Sequence, residues 1–244
     1  NFEEYQKQED TMQNSCVAII PARGGSKRIP KKNIKLFHGK PLIAYSIEVA
    51  IKSKLFDKVI VSTDDEEIAK IARSYGADVP FLRPKELSDD FTGTGAVVNH
   101  AIEFLKAQGE KIDFICTIYA TAPFLQEKYL IEAYEKLKNS NARNAFSCTS
   151  MPFPIQRTFK ITKDERCEMF WPENFSKRSQ DLEEAYQDAG QFYWTNLNVK
   201  SDDIIFGKDS IPIILPRYLV QDIDTQEDWT RAEFMYEAIQ KELK

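Results

Sequence analysis

Two short stretches hold the residue types that chemistry would need. The first is Ala22-Arg23-Gly24-Gly25-Ser26-Lys27-Arg28-Ile29-Pro30-Lys31-Lys32-Asn33, which sets five cations within ten positions of a chain whose net charge is −5. Two adjacent glycines let the backbone turn tightly and aim N–H groups at an anion. Such a loop can cradle a triphosphate and offset the charge of a departing pyrophosphate. It is neither a Walker A loop, since no GKS or GKT follows at the required spacing, nor a GxGxxG turn. The competing reading is a solvated basic turn. The second stretch is Asp222-Ile223-Asp224. Carboxylates two positions apart on extended chain point to one side. With phosphate oxygens they can bind Mg²⁺, which takes few protein ligands and keeps several waters. The competing reading is a cap at the start of the helix that follows.

A third stretch, residues 178–193, holds Arg178, Gln180, Asp181, Tyr186, Gln191 and Tyr193. An arginine can grip a sugar carboxylate with two parallel bonds, and amides and phenols suit hydroxyl and acylamino groups. A polar surface arm is the alternative. The two histidines, His38 and His100, have no recognisable partners for a metal site or a triad, and no GxSxG elbow surrounds Ser26.

These stretches need elements to position them. The apolar run 16–21 predicts a buried strand that feeds the basic loop. Leu42, Ile43, Ile47, Ala50 and Ile51 recur at helical spacing; 58–63 predicts a second strand; Asp64 to Gly76 predicts a helix with acidic residues first and glycine last. Residues 78–82 predict a short strand. A helix ending at Gly109, a strand over 113–120, an amphipathic helix from Lys128 and a strand over 144–150 continue the alternation. That pattern predicts an α/β fold, a mostly parallel sheet flanked by helices, with ligands beyond the carboxyl ends of the strands. The alternation breaks near residue 151, where prolines, aromatics and charges mix in a projecting hairpin or arm. A returning strand at 191–200, a further strand and a closing helix from Thr225 complete the chain.

The 244 residues suit one sizeable core with a small appended lobe. Net negative charge argues against a nucleic-acid partner. Cys16, Cys116, Cys148 and Cys167 form no CxxC pair and read as reduced thiols of a cytoplasmic protein. No membrane span or signal peptide is expected, and residues 1–12 read as a tag or disordered extension.

With these residues laid out, the chain resembles the CMP-sialic acid synthetase family. The run from Ala18 through Ala50 is similar to that family's N-terminal signature, and Val59 through Pro84 to its second block. Arg178 through Trp194 and Asp222 through Asp228 are similar to its later blocks, in order. The resemblance implies a Rossmann-variant nucleotide-binding domain, 13–150 with 190–244, and an inserted β-rich dimerisation and sugar-side lobe, 151–189. It implies a homodimer that uses CTP, Mg²⁺ and a nine-carbon acidic sugar. It further implies nucleotide contacts at Ala22, Arg23, Gly24, Gly25, Ser26, Lys32, Asn33 and, near the cytosine, Arg83. Metal is implied at Asp222 and Asp224, and sugar at Tyr119, Arg178, Gln180, Gln191 and Tyr193. Catalysis is expected from Arg23, Lys32, Asp222 and Asp224. Members that use sialic acid commonly carry a stretch like LQPTSPLR after the strand at 113–118; here Tyr119 and Leu125 replace its glutamine and arginine. Tyr119 to Phe124, with Phe153 to Arg157, looks more like the pseudaminic acid branch, whose sugar ends in a methyl group and suits a less polar pocket. Sialic and legionaminic acids are the alternatives.

Overall fold

The computed structural model describes residues 14–89 and 91–242. The expected extension over residues 1–12 lies outside the described residues. A six-stranded sheet forms the centre, in the order β10-β6-β9-β5-β1-β4. Its strands are β1 (Cys16–Pro21), β4 (Lys58–Ser62), β5 (Phe114–Ile118), β6 (Asn144–Ser150), β9 (Tyr186–Asn196) and β10 (Ser210–Ile214). β1 runs parallel to β4 and β5, and β10 parallel to β6. β9 alone runs antiparallel, wedged between β5 and β6. Two hairpins, β2 (Leu36–Phe37) with β3 (Lys40–Pro41) and β7 (Phe159–Ile161) with β8 (Cys167–Met169), lie outside the sheet.

β1 reads as a continuous apolar run because both its faces are covered. Ala18 and Ile20 join a cluster with Ile43, Ile47 and Ala50 of α1 (Leu42–Ser53) and Leu130, Ala133 and Leu137 of α4 (Glu127–Lys138). Ala69 and Ala72 of α2 (Glu66–Ser74) close the same layer. Val17 and Ile19 point the other way, onto Val98, Ala101, Ile102 and Leu105 of α3 (Thr94–Ala107). The α2 start follows its sequence: Asp65 Oδ1 accepts from Glu67 N (2.8 Å) and Ile68 N (3.1 Å), with two glutamates in the first turn. The predicted strand at 78–82 reduces to isolated bridges at Asp78 and Leu82, since Pro80 has no N–H to give.

A third cluster matters most for the site. Ile29 of the basic loop and Ile223, between the two aspartates, are both buried with Phe37, Leu42, Tyr45 and Trp229. Trp229 belongs to α5 (Gln226–Glu242), and its ring meets that of Phe37 edge-on at 5.5 Å between centroids. One apolar knot therefore holds together chemistry-bearing segments nearly two hundred positions apart. Residues 151–185 project as an arm carrying the β7–β8 hairpin. β9 begins at Tyr186, so the last residues of the 151–189 segment pair with β6 inside the sheet. Cys16, Cys116 and Cys148 are buried and Cys167, on the hairpin, is exposed.

Candidate active site

The basic loop leaves the carboxyl end of β1 and is pinned to the end of the neighbouring β4. Ala22 N–H donates to Ser62 O at 2.9 Å, and Gly24 N–H to Asp64 Oδ1 at 2.9 Å. A Cβ on Gly24 would stand 2.6 Å from Asp65 Oδ2, so the helix cap beneath it admits no side chain. Nothing lies within 4 Å of a Cβ built on Gly25, which faces open space. Buried Asn33 closes the loop on itself, donating Nδ2–H to Arg23 O at 3.0 Å. Arg23 also donates to Asp89 O at 3.2 Å.

The aspartate pair is fixed from the opposite side. Thr225 Oγ1 accepts from Asp228 N at 3.2 Å. Asp228 Oδ2 in turn accepts from Thr225 N at 2.7 Å and Asp224 N at 3.1 Å. This reciprocal cap starts α5 and sets the backbone of Asp224. Burial works against the charge of Asp228, yet these hydrogen bonds hold its carboxyl below the usual range. The cap is present at Thr225 and Asp228, and it leaves the side chains of Asp222 and Asp224 on the cleft wall. Lys32 then joins loop to pair: its Nζ donates to Ile223 O at 2.5 Å and to Asp224 Oδ1 at 3.1 Å. Arg28 reaches Asp224 Oδ2 at 3.1 Å. Asp222 stands differently. Burial raises its carboxyl pKa, and Asp224, Asp228 and Asp188 add to the rise against the opposing charge of Lys32.

Arg23, Ser26, Lys32, Asn33, Arg83, Asp222 and Asp224 line one cleft of about 560 Å³. Arg83 is 6 % exposed, and among the described residues its Nε and Nη2 have no hydrogen-bond partner. A second cavity of about 600 Å³ adjoins the first, and Thr94 and Tyr119 line both. Tyr193 and Asp188 line the second, joined by a 2.6 Å hydrogen bond from the phenol to Asp188 Oδ2. A register shift between Phe146 and Cys148 of β6, with Gly190 at φ 63°, kinks β9 and brings these two side chains together. Gln191 turns away: its Nε2 donates to buried Leu219 O at 2.6 Å. Arg178 and Gln180 stay on the arm, with Arg178 paired to Asp181 by bonds of 2.7 and 3.1 Å. Gln180 lines a separate hollow beside Met151 and Phe153.

The sequence profile of the cytidylyltransferase family matches residues 17–209. The chain belongs to the cytidylyltransferase family. It is 48 % identical over 226 residues to the pseudaminic acid cytidylyltransferase of Campylobacter jejuni, covering 92 % of this chain and 97 % of that one. The CMP-N,N'-diacetyllegionaminic acid synthase of Legionella pneumophila is 32 % identical over 93 % of this chain and 98 % of its own. A CMP:2-keto-3-deoxy-manno-octonic acid synthetase solved with CTP superposes with a TM-score of 0.64 at 14 % identity. The match covers 92 % of this chain and 99 % of that one, a likeness of fold.

In this cytidylyltransferase the donor set at Asp222 and Asp224 is hard carboxylate oxygen facing a cleft, which suits Mg²⁺ completed by substrate oxygens and water. The strained charge of Asp222 is what a divalent cation would relieve. Among the described residues no group of three or more His, Cys, Asp or Glu side chains is arranged to hold a metal alone. Sequence reasoning missed Asp64, which carries the loop; the Gly24-to-Asp64 contact spans 40 positions and has no local pattern. It also missed Asp188, whose place depends on the kink in β9. Among the described residues no helix is long and apolar enough to cross a membrane.

Proposed function

We propose that this cytidylyltransferase joins CMP, from CTP, to pseudaminic acid and releases pyrophosphate. One observation carries the reading. The basic loop and the Asp222–Asp224 pair, 191 positions apart at their contact, close on each other through Lys32 in a cleft whose neighbour cavity opens at Tyr119. The cleft receives CTP. The Gly24 and Ser26 amides are engaged by Asp64 Oδ1 and Gly24 O, so the β- and γ-phosphates lie at the open Gly25 turn with Arg23 and Lys32 beside them, and Arg83 turns its unpartnered donors to the cytosine. The sugar occupies the second cavity and brings its anomeric hydroxyl to the α-phosphorus where the cavities meet. Attack is in line, and Arg23 and Lys32 offset the charge that builds on the leaving pyrophosphate. Asp222 and Asp224 would hold Mg²⁺, which when bound would supply Lewis-acid charge to the reaction.

The second cavity is partly apolar: Val98, Ile115, Leu197, Ile205 and Phe206 line it. That suits a sugar ending in a methyl group better than one ending in hydroxyls. Among the described residues Arg143 is the one cation on its wall, and its Nη1 donates to Asn196 O and Val199 O. The arm exposes Phe153, Phe159, Ile161, Phe170, Trp171 and Phe175, an apolar surface that suits burial against a second copy. In the homodimer we propose, this arm brings Arg178 and Gln180 to the neighbouring copy's sugar.

Pyrophosphate release from CTP and Mg²⁺, with pseudaminic, legionaminic and N-acetylneuraminic acids in parallel, tests the reading. Release should be fastest with pseudaminic acid. A preference for N-acetylneuraminic acid would keep the reaction and overturn the reading of the apolar wall. Light scattering on the same preparation should give twice the chain mass; a monomer would remove the arm from the sugar site.

A further inference from the structure

Three stretches of chain converge at the carboxyl end of β4, and Asp64 stands where they meet. The basic loop is tied there by Ala22 N–H on Ser62 O and by Gly24 N–H on Asp64 Oδ1, each at 2.9 Å. The stretch before the cleft's far wall is tied by Arg83 N–H on Thr63 O at 2.7 Å. The Arg83 guanidinium is buried and keeps one long bond, 3.4 Å from Nη1 to Leu87 O, while Nε and Nη2 have no partner among the described residues. Its burial works against its charge and lowers its pKa; Asp64 opposes that and Arg23 adds to it. A buried cation with idle donors is costly unless a counter-charge steadies it and a ligand takes the donors.

We infer that Asp64 is a positioning residue joining the two halves of nucleotide recognition: its Oδ1 holds the phosphate loop through Gly24, and its negative charge steadies the Arg83 guanidinium toward the base. The inference rests on the cytidylyltransferase reading above. Asp64 does not line the cleft, so it acts through these two neighbours. Cytosine offers acceptors at O2 and N3, whereas uracil carries a hydrogen on N3. An arginine held with two free donors toward that edge therefore prefers cytosine, and one that has loosened prefers it less.

Equilibrium binding of CTP, UTP and inorganic tripolyphosphate to the full chain tests this in Asp64→Asn and Asp64→Ala. Asparagine keeps an acceptor oxygen for Gly24 and removes the charge. Asp64→Asn should hold tripolyphosphate within about twofold of the parent, lose about tenfold in CTP affinity, and lose most of the CTP-over-UTP preference. Asp64→Ala should weaken tripolyphosphate binding as well. A merely structural role would lower all three affinities together and leave the CTP/UTP ratio unmoved in Asp64→Asn, which overturns the inference. Unchanged tripolyphosphate binding in a folded Asp64→Ala overturns it too. If the parent protein itself binds no CTP, the reading beneath the inference fails instead.

Discussion

Replacing Lys32 by methionine should lower kcat for pyrophosphate release by about a hundred- to a thousandfold, the usual cost of removing one preorganised donor from developing charge. The methionine side chain fills nearly the same space, and Lys32 is mostly enclosed, at 16 % side-chain exposure. Its ammonium bridges the loop and the aspartate segment through Ile223 O and Asp224 Oδ1, beside the more exposed Arg28–Asp224 pair. Loss of a bond to a carbonyl costs about 1–3 kcal/mol of stability, so the variant should still fold. The split between kinetic parameters identifies the role. Charge offset on the leaving pyrophosphate is needed in the transition state, so kcat and kcat/KM should fall by similar factors. A raised KM for CTP with unchanged kcat would mean that Lys32 serves only to hold the nucleotide.

The two aspartates should respond differently to the same neutralisation. Asp222→Asn and Asp224→Asn should each lose several kcal/mol of transition-state stabilisation, on the order of a thousandfold in turnover. Both should also need more Mg²⁺ for half-maximal rate. Their stabilities should part. The pKa of Asp222 is raised in the folded chain, so its ionised form is worse placed there than in the unfolded chain. Wherever the pH lies above both values, ionised Asp222 therefore subtracts from stability, and the penalty fades as pH falls through the folded pKa. Asp222→Asn removes that penalty and should melt higher in metal-free buffer. Asp224 is paired with Lys32 and Arg28, so Asp224→Asn should melt no higher than the parent. A site that trades stability for function behaves this way. Equal melting shifts in the two variants, or near-normal turnover in either, would contradict the assignment.

Much of this arrangement was legible because local rules and the global fold agree. The strand before the basic loop, the helix from Asp65 and the closing helix after Asp224 each follow from apolar spacing and capping residues. The sheet rule then brings the loops to one rim. What escaped depends on distant contacts. Nothing near Gln191 tells that its carboxamide turns back onto Leu219 O, 28 positions away. The antiparallel entry of β9 between β5 and β6, and the kink that delivers Asp188 to Tyr193, arise from pairing across the sheet. Arg83 was singled out by resemblance alone; its burial with idle donors follows from packing against the end of β4. Arg178 and Gln180 stay on their arm, away from both cavities, because the arm is ordered by its own hairpin and by the Arg178–Asp181 pair.

Phosphorus NMR of the protein with CTP, Mg²⁺ and pseudaminic acid tests the central claim most directly. The account predicts that the three CTP resonances give way to one phosphodiester resonance of a CMP-sugar and one of free pyrophosphate, in equal amounts and only when the sugar is present. CTP left intact by a folded protein, or consumed without a phosphodiester product, would contradict it.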